Sequence, residues 1–366
     1  IGTQHSSLNV WVQGDGSGNT LSFLYSDGTT SSLLKPITTL DFTGWKQVSV
    51  PISGTFSIQG LAVSGTAASS GTIYLDQITA SHDNIVDTEV PAVSASLDSA
   101  AWQLTATVAD AVDGVLPKSA ISVTYSGGSQ KSTALDFSYD TASGALTVSL
   151  PQSLESHDAM RLTITARDAS GNIGRASVDV EPTSTAHKFT DIDGYWAATY
   201  VDFLYSTGIT TGYEDGTFRP NQNITRAQFS AMLFRYLGLN ESDYANVQLP
   251  FADNSSIPSY AVPAVKALYS KGIINGSTGA DGKLYFNPNA SLTRAQAATM
   301  IGRTQEKGYA TTALTFSDAA SIPSYATYYI QTMVAQGVIS GYSDGTFLPN
   351  ASITRGQMAK ILYNLM

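Results

Sequence analysis

One short motif occurs three times in the second half of this 366-residue chain. It reads Ile-Thr-Arg-Ala-Gln at 224–228, Leu-Thr-Arg-Ala-Gln at 292–296 and Ile-Thr-Arg-Gly-Gln at 353–357. Each copy follows a turn rich in Gly and Asp and opens an apolar segment with helical periodicity. Because repeated units bury their apolar faces against one another, an internal repeat constrains the architecture of a chain more than any single element does.

The motif belongs to a longer repeat that opens with Phe-x-Asp and recurs at nearly even intervals along the chain. A first helix is predicted in each copy, beginning near an aromatic-Ala pair and ending at a glycine suited to a left-handed C-cap. The opening phenylalanine, first aromatic residue and capping glycine are Phe189, Trp196 and Gly208; Phe251, Tyr260 and Gly272; and Phe316, Tyr325 and Gly337.

Thr followed three residues later by Gln predicts a capping box at the start of a second helix. In the first copy, apolar residues at 229, 232, 233, 236 and 237 then form one helical stripe. The arginine after the Thr is harder to explain, since a helix N-terminus disfavours a cation by roughly 0.3–1 kcal/mol. Two interpretations remain open: an anion site beside free N-terminal amides, or an inter-repeat salt bridge with Asp191, Asp253 or Asp318.

The front half of the chain, 1–184, is patterned as β structure. Alternating or β-branched segments separated by Gly and Asp turns predict strands at 8–12, 21–26, 45–52, 56–63 and 72–80. Further strands are predicted at 102–108, 121–125, 146–150, 162–166 and 176–180. We therefore expect a partial jelly-roll sandwich over 1–82, with leading strands upstream of Ile1, and a second sandwich over 83–184.

Charge is placed unevenly. Residues 1–184 contain 7 Lys/Arg and 17 Asp/Glu, whereas residues 185–366 contain 12 of each. An acidic front half argues against a nucleic-acid partner, and no apolar run is long enough to cross a membrane. The chain has no cysteine, which excludes disulfides and thiolate metal sites.

The order Phe-x-Asp, Trp-Ala, Gly-Tyr-x-Asp-Gly-Thr-Phe-x-Pro and Ile-Thr-Arg-Ala-Gln resembles the surface-layer homology (SLH) domain. The resemblance covers 188–366 as three repeats, 188–249, 250–314 and 315–366. It implies a mainly helical, pseudo-threefold spindle that anchors an exported protein of a Gram-positive cell to its wall or S-layer. The implied partner is a secondary cell wall polysaccharide bearing pyruvylated N-acetylmannosamine, with arginine on the ketal carboxylate. The two β units resemble a carbohydrate-binding module and an immunoglobulin-like (Ig-like) module, respectively.

Site residues follow from this resemblance, position by position. The implied carbohydrate-binding residues are Asp191, Trp196, Gly212, Asp215 and Arg226 in repeat one, Asp253, Tyr260 and Arg294 in repeat two, and Asp318, Tyr325, Gly341, Asp344 and Arg355 in repeat three. Each has a structural alternative: the aromatic residues could fill the core, and Asp215 and Asp344 could shape turns. The loop of repeat two, from Gly272 to Phe286, is longer than that of repeat one, from Gly208 to Phe218, so its groove is expected to differ.

No catalytic constellation is present in the sequence, and the four histidines at 5, 82, 157 and 187 have no metal-ligand spacing. No cofactor is expected. Two acidic pairs in the second β unit, Asp110 with Asp113 and Asp136 with Asp140, could hold a structural Ca²⁺, although solvated loop carboxylates are the simpler interpretation.

Three classes of function remain. The first is a non-catalytic wall anchor held on an Ig-like spacer. The second is a sugar-binding module at 1–82, with Trp11 and Trp45 as stacking platforms or, alternatively, as core residues. The third is the anchoring end of a polysaccharide-degrading enzyme whose catalytic domain lies upstream of this chain.

Overall fold

The computed structural model describes residues 6–65, 73–81, 87–128, 130–151, 159–180, 187–305, 309 and 311–366. Within these ranges the chain forms two β units followed by a helical unit. The predicted boundaries at 82 and 184, and His5, His82 and His157, lie outside the described residues.

The first β unit is a sandwich of two three-stranded antiparallel sheets. Its sheets have the orders β4-β1-β6 and β3-β2-β5. The strands are β1 Ser7–Asp15, β2 Thr20–Ser26, β3 Leu33–Thr39, β4 Thr43–Pro51, β5 Ser57–Ser64 and β6 Tyr74–Ser81. Alternating residues of β1 and β2, among them Val10 and Phe23, are fully buried between the sheets. Five of the six strands were predicted, and β3 was missed.

The second β unit is a sandwich of two four-stranded sheets, ordered β11-β12-β8-β7 and β10-β9-β13-β14. Its strands are β7 Ala92–Asp98, β8 Gln103–Ala109, β9 Ile121–Gly127, β10 Gln130–Ala134, β11 Ser138–Asp140, β12 Ala145–Ser149, β13 Met160–Arg167 and β14 Ile173–Val180. This order corresponds to the ABED and CFG sheets of immunoglobulin constant-type sandwiches, with β10 as an additional edge strand. Strands β7, β10 and β11 were not predicted.

The helical unit contains two α-helices per repeat, as the sequence predicts. They are α1 Ala198–Ser206, α2 Arg226–Tyr236, α3 Val262–Ser270, α4 Arg294–Gly302, α5 Ser324–Ala335 and α6 Arg355–Leu365. The first helix of each repeat ends as expected, because Gly208, Gly272 and Gly337 adopt φ values of 70–71°. One buried cluster extends through all three repeats, so they share a single core.

All three second helices begin with the predicted capping box. At α4, the hydroxyl of Thr293 accepts from the Gln296 amide, and the Gln296 side chain accepts from the Thr293 amide, both at 3.2 Å. Each box satisfies two backbone donors that would otherwise lack a partner at the helix start.

Replacing Thr293 with alanine should lower the free energy of unfolding of the helical unit by about 1 kcal/mol, because the cap hydroxyl is lost. Urea unfolding followed by circular dichroism measures this change. Thr311→Ala, an exposed loop threonine, is the matched control and should leave the unfolding midpoint unchanged. Equal midpoints for both variants would contradict a stabilising role for the box.

Three backbone hydrogen bonds close the repeats into a ring. The amide of Ile224 donates to the Ile353 carbonyl, that of Ile353 to Leu292, and that of Leu292 back to Ile224, at 2.9–3.0 Å. Because the last of these residues returns to the first repeat, the ring has approximate threefold symmetry. The three repeats are therefore joined in a closed cycle rather than in an open row.

The three units contact one another. Trp11 of the first β unit donates its indole N–H to the Ser170 carbonyl of the second at 2.8 Å. Arg161 of the second β unit lies against the ring of Tyr363 in α6, 5.0 Å from its centroid. Gly44 in β4 packs on Tyr328 of α5 so closely that a Cβ at this position would clash with the ring.

Candidate functional site

The arginine of each Thr-Arg motif binds the loop of the following repeat. In all three cases Nε donates to the carbonyl of a buried phenylalanine at 2.7 Å. The pairs are Arg226 with Phe286, Arg294 with Phe347, and Arg355 with Phe218. The guanidinium groups also lie over the rings of these phenylalanines, 4.4–5.1 Å from the centroids. Desolvation by burial lowers the pKa of each arginine.

The helix N-termini do not offer free amides, which corrects one of the two interpretations left open above. The amides of Arg355 and Gly356 donate to the carbonyls of Gln222 and Pro220 at 2.9 Å, and the third amide donates to the capping Thr354. The other two helices are satisfied in the same way by carbonyls of the next repeat. An anion at this site would therefore have to bind the guanidinium rather than the helix terminus.

The aspartate of Phe-x-Asp clamps the loop that receives the arginine. Both carboxylate oxygens of Asp318 accept from successive amides, Phe347 at 2.7 Å and Leu348 at 2.8 Å. Asp191 and Asp253 hold the equivalent amides at 2.7–2.8 Å. The clamped residues Arg219, Asn287 and Leu348 have φ of 54–58°, a left-handed conformation that costs energy for a non-glycine residue. The aspartates thus orient the carbonyls to which the arginines bind.

No ion pair joins these arginines to Asp191, Asp253 or Asp318 among the described residues. The predicted inter-repeat salt bridge is therefore wrong in detail. The arginine does connect two repeats, but its acceptor is a backbone carbonyl that the aspartate positions.

Three grooves lie between the repeats, and we number them by the repeat that supplies the arginine: Arg226 in the first, Arg294 in the second and Arg355 in the third. Each groove contains side chains from all three repeats. In the second groove, Arg294 of repeat two and Tyr342 of repeat three line one cavity of about 400 Å³ together with Trp196 of repeat one. In the third groove, the guanidinium of Arg355 lies 4.9 Å from the ring centroid of Tyr213, and Tyr260 of repeat two lies nearby. In the first groove, Tyr325 of repeat three lies near Arg226 of repeat one.

The aromatic residue near the start of the first helix of each repeat is exposed, so the core-filling alternative is wrong. Trp196 and Tyr260 are each 53% exposed and Tyr325 is 42% exposed. An exposed aromatic ring beside a guanidinium can receive the apolar face of a sugar while the cation binds an acidic substituent.

The remaining predicted site residues have local structural contacts. Asp215 and Asp344 each accept from the amide and hydroxyl of a threonine two residues later, which fixes the Asp-Gly turn. Gly212 and Gly341 lie against the opening phenylalanine rings, since a Cβ on either would come within 2.1 and 2.7 Å of the ring. These contacts show that the two aspartates and the two glycines determine the conformation of the loops.

Sequence reasoning missed the loop tyrosines Tyr213 and Tyr342, although the Gly-Tyr-x-Asp motif contains them. Their hydroxyls accept from Gln228 at 2.9 Å and Gln357 at 3.0 Å, which ties each loop to the capping box of its own repeat. Lys360, on the exposed face of α6, also lines the second groove. In the sequence, only its position three residues after Gln357, on the same face of the helix, indicates that it lies near the groove.

The first groove differs, as the long loop of repeat two predicts. Ser277 stands where the other loops have tyrosine, and residues Ser277–Thr278 and Leu284–Tyr285 form a short two-stranded ladder. Arg226 is only partly buried, whereas Arg294 and Arg355 are 8% and 5% exposed. Tyr325 of this groove also borders a cavity of about 850 Å³, whose other wall includes Trp45 and Tyr74 of the first β unit.

The S-layer homology domain family matches residues 188–230, 250–298 and 315–359. The three segments coincide with the three repeats of the helical unit, and the match does not extend to either β unit. Residues 188–359 therefore contain three S-layer homology domains.

Several known proteins are similar to part of this chain. An amylopullulanase of Thermoanaerobacterium thermosulfurigenes is 34% identical over 183 residues, 49% of this chain and 9% of that protein. An endoglucanase of Bacillus sp. (strain KSM-635) is 34% identical over 196 residues, 51% of this chain and 19% of its own length. A cellulosome-anchoring protein of Acetivibrio thermocellus is 32% identical over 159 residues, 41% of this chain and 34% of that protein.

The chain thus covers about a third or less of each of these relatives. Other matches include surface-layer proteins of Lysinibacillus sphaericus and Bacillus anthracis. Together with the three domains, these relatives support attachment at the cell surface. Across the described part of the chain, no helix has the length and apolarity required to span a membrane.

Proposed function

We propose that the helical unit anchors an exported protein to the bacterial cell wall by binding wall polysaccharide in the grooves between its repeats. The observation that carries this proposal is the recurrence, in each groove, of an exposed aromatic ring near an arginine supplied by another repeat. Core packing explains neither the exposure of Trp196 nor that of Tyr260, since water-exposed aromatic rings contribute little to stability.

The proposed ligand is a polysaccharide that carries pyruvylated N-acetylmannosamine. A ketal carboxylate suits a guanidinium, which has five N–H donors. In the second groove, two of the five bind the carbonyls of Phe347 and Ser340. Lys360 lies on the same groove and adds a second positive charge. The acetamido sugar ring would stack on Trp196.

Binding to isolated cell walls tests the ligand. Walls that retain the secondary polysaccharide should bind the full chain, walls from which it has been extracted should not, and walls whose ketals have been hydrolysed by mild acid should bind weakly. Equal binding to intact and extracted walls would exclude the polysaccharide as the partner. Equal binding to intact and ketal-free walls would exclude the pyruvyl group as a determinant.

Trp196→Ala and Tyr260→Ala should each weaken wall binding by about tenfold, the expected loss for an aromatic contact worth slightly more than about 1 kcal/mol. Their unfolding midpoints should stay unchanged because both side chains are exposed. Co-sedimentation with intact walls measures the affinity, and Trp196→Phe should retain part of it. Leu34→Ala is the control, since this 57% exposed leucine lies on the first β unit. If Leu34→Ala weakened wall binding equally, the loss of affinity would not be specific to the aromatic residues of the grooves.

The division at 1–82, 83–184 and 188–366 is part of the same proposal, with the second β unit as an Ig-like spacer. In the first β unit, Trp11 is 6% exposed and lies at the junction with the second unit, which removes it as a stacking platform. Trp45 borders the larger cavity and remains a candidate sugar contact.

A second proposal places this chain at the anchoring end of a surface polysaccharide-degrading enzyme. It rests on the amylopullulanase and endoglucanase relatives, of which the chain covers only a small part. On this proposal the chain itself is non-catalytic. The mass of the native wall-bound protein tests it: a mass well above 38.6 kDa with glycan hydrolase activity supports it, and a mass equal to 38.6 kDa contradicts it.

A further inference from the structure

Four carboxylates from separate loops meet at one end of the second β unit. Asp87 precedes β7, Asp110 and Asp113 lie in the turn after β8, and Asp168 lies in the turn between β13 and β14. One oxygen of each residue lies within 4.8 Å of the corresponding oxygens of the other three. The sequence drew attention only to Asp110 and Asp113, and the fold adds the other two.

Two of these carboxylates have a buried oxygen without a protein partner. Asp87 and Asp110 are 7% and 6% exposed, and Oδ2 of each accepts no hydrogen bond. Their other oxygens are used: Oδ1 of Asp110 accepts the amides of Val112 and Asp113 at 2.8 Å, and Oδ1 of Asp87 accepts the Glu89 amide. A buried carboxylate oxygen is costly to leave unpaired, so each such atom requires an explanation.

The local hydrogen bonds hold the cluster in shape. The amide of Ala169 donates to Oδ2 of Asp113 at 2.9 Å, which joins two of the loops. The side chain of Asn172 donates both to Oδ2 of Asp168 at 2.7 Å and to the backbone carbonyl of Asp87 at 2.9 Å. Backbone and side-chain donors thus hold Asp113 and both oxygens of Asp168, whereas Oδ2 of Asp87 and Oδ2 of Asp110 accept from no donor.

Among the described residues, none of the ion pairs involves any of these four carboxylates. Burial, with a smaller contribution from the neighbouring carboxylates, raises the pKa of Asp168 to about 6 and also raises that of Asp87. A divalent cation would supply the missing charge.

We propose that Asp87, Asp110, Asp113 and Asp168 bind a calcium ion. An all-oxygen set with four carboxylates suits a hard cation. Oxygens around Ca²⁺, at roughly 2.3–2.6 Å from the ion, can be separated by up to roughly 5 Å, which accommodates the observed spacing. Mg²⁺ fits less well, because it requires near-octahedral geometry and usually retains several waters rather than taking an all-protein set of carboxylates. Zn²⁺ is disfavoured because the cluster has no nitrogen or sulfur ligand.

The site lies at the junction of the two β units. Its 168–172 turn carries Ser170, whose carbonyl accepts from Trp11 at 2.8 Å and from the Gln47 side chain at 3.1 Å, both in the first β unit. Asp87 is the first described residue after 82–86, where the chain passes from one β unit to the next. A calcium ion would therefore link the start of the second β unit to the 168–172 turn, which contacts the first β unit. It would thereby restrict motion between the two β units.

Calcium titration of the full chain after chelator treatment tests the proposal by isothermal calorimetry and thermal unfolding. The transition of the second β unit should shift upward by about 8 °C or more at a calcium concentration a hundredfold above the dissociation constant. Magnesium alone at the same concentration should give a much smaller shift. No calcium-dependent heat or shift would overturn the proposal, and an equal shift with magnesium would overturn the assignment to calcium.

Asp87→Asn and Asp110→Asn, which change carboxylates whose Oδ2 accepts no hydrogen bond, separate metal binding from a purely structural role. In chelator, both variants should unfold at the wild-type temperature or above it, since each removes one negative charge from the cluster. With calcium, they should show at least a tenfold weaker affinity and lose most of the shift. Asp136→Asn, an exposed aspartate of the same unit, should keep the full calcium response. Retention of the full response by the two cluster variants would refute the site.

Discussion

Replacing Arg355 with alanine should lower the free energy of unfolding of the helical unit by about 3 kcal/mol, the combined loss of a charged hydrogen bond and its ring contacts. The buried guanidinium donates to the Phe218 carbonyl at 2.7 Å and lies over two aromatic rings. A hydrogen bond from a charged donor contributes about 1.5–3 kcal/mol, and a desolvated cation–π contact about 2 kcal/mol. Denaturant unfolding measures the change.

Two further variants make the result specific to that contact. Arg355→Lys should recover only a small part of the stability, because a lysine lacks the planar fork and the Nε donor. Arg219→Ala removes an exposed arginine that pairs with Asp215 four residues earlier, and should leave the midpoint unchanged within error. If Arg355→Ala unfolds at the wild-type midpoint, the arginines do not join the repeats, and their recurrence would be due to ligand binding alone.

The same geometry decides which arginine suits a binding experiment. Arg294 and Arg355 support the fold, so their removal weakens wall binding and stability together. Arg226 is more exposed and makes the same hydrogen bond to Phe286, but among the described residues its guanidinium lies over no loop tyrosine. Its removal should therefore lower the free energy of unfolding least, so a change in wall affinity is most readily separated from a change in stability at Arg226.

Ending the chain at residue 314, which removes the third repeat, should abolish cooperative folding of the other two. Ile224 would lose its backbone acceptor on Ile353, and Arg294 would lose the carbonyls of Phe347 and Ser340. The shared core would also lose Ile330, Met333 and Leu362, all fully buried. Circular dichroism during urea unfolding should show a broad, non-cooperative change in place of a sharp transition.

The control keeps the ring although it removes a longer stretch of the chain. A chain beginning at residue 87 retains both the helical unit and the second β unit that contacts it through Arg161. Its helical transition should remain cooperative. A sharp transition in the two-repeat chain would contradict the closed ring and would indicate that each repeat folds independently.

Local features of this fold could be predicted from the sequence because short-range interactions determine them. The capping boxes involve residues three positions apart, and the C-cap glycines follow directly on their helices. Among the strands, β3 was missed because Pro36 lies inside it, which an edge strand of the sheet tolerates. Edge strand β10, Gln130–Ala134, is polar and has no apolar alternation to mark it.

The composition of the grooves depends on contacts between distant residues and could not be predicted. Nothing near Arg355 in sequence indicates that its acceptor is Phe218, far away in the first repeat. The motif alone left open an anion site at free helix amides, whereas the neighbouring repeat supplies carbonyls to the first two amides and the capping threonine accepts from the third. Likewise, nothing in the sequence near Trp196 indicates that Lys360 and Asn364 of α6 line the same cavity.

The backbone ring of Ile224, Leu292 and Ile353 has a consequence for how such a protein can vary. An open array of repeats can gain or lose a unit at either end, and its terminal units need polar caps. A closed trimer of repeats has no terminus at which a unit could be added, since each repeat already has both neighbours. Diversification is therefore confined to loops that leave the ring intact, and the longer loop of repeat two, beside the first β unit, is one such change.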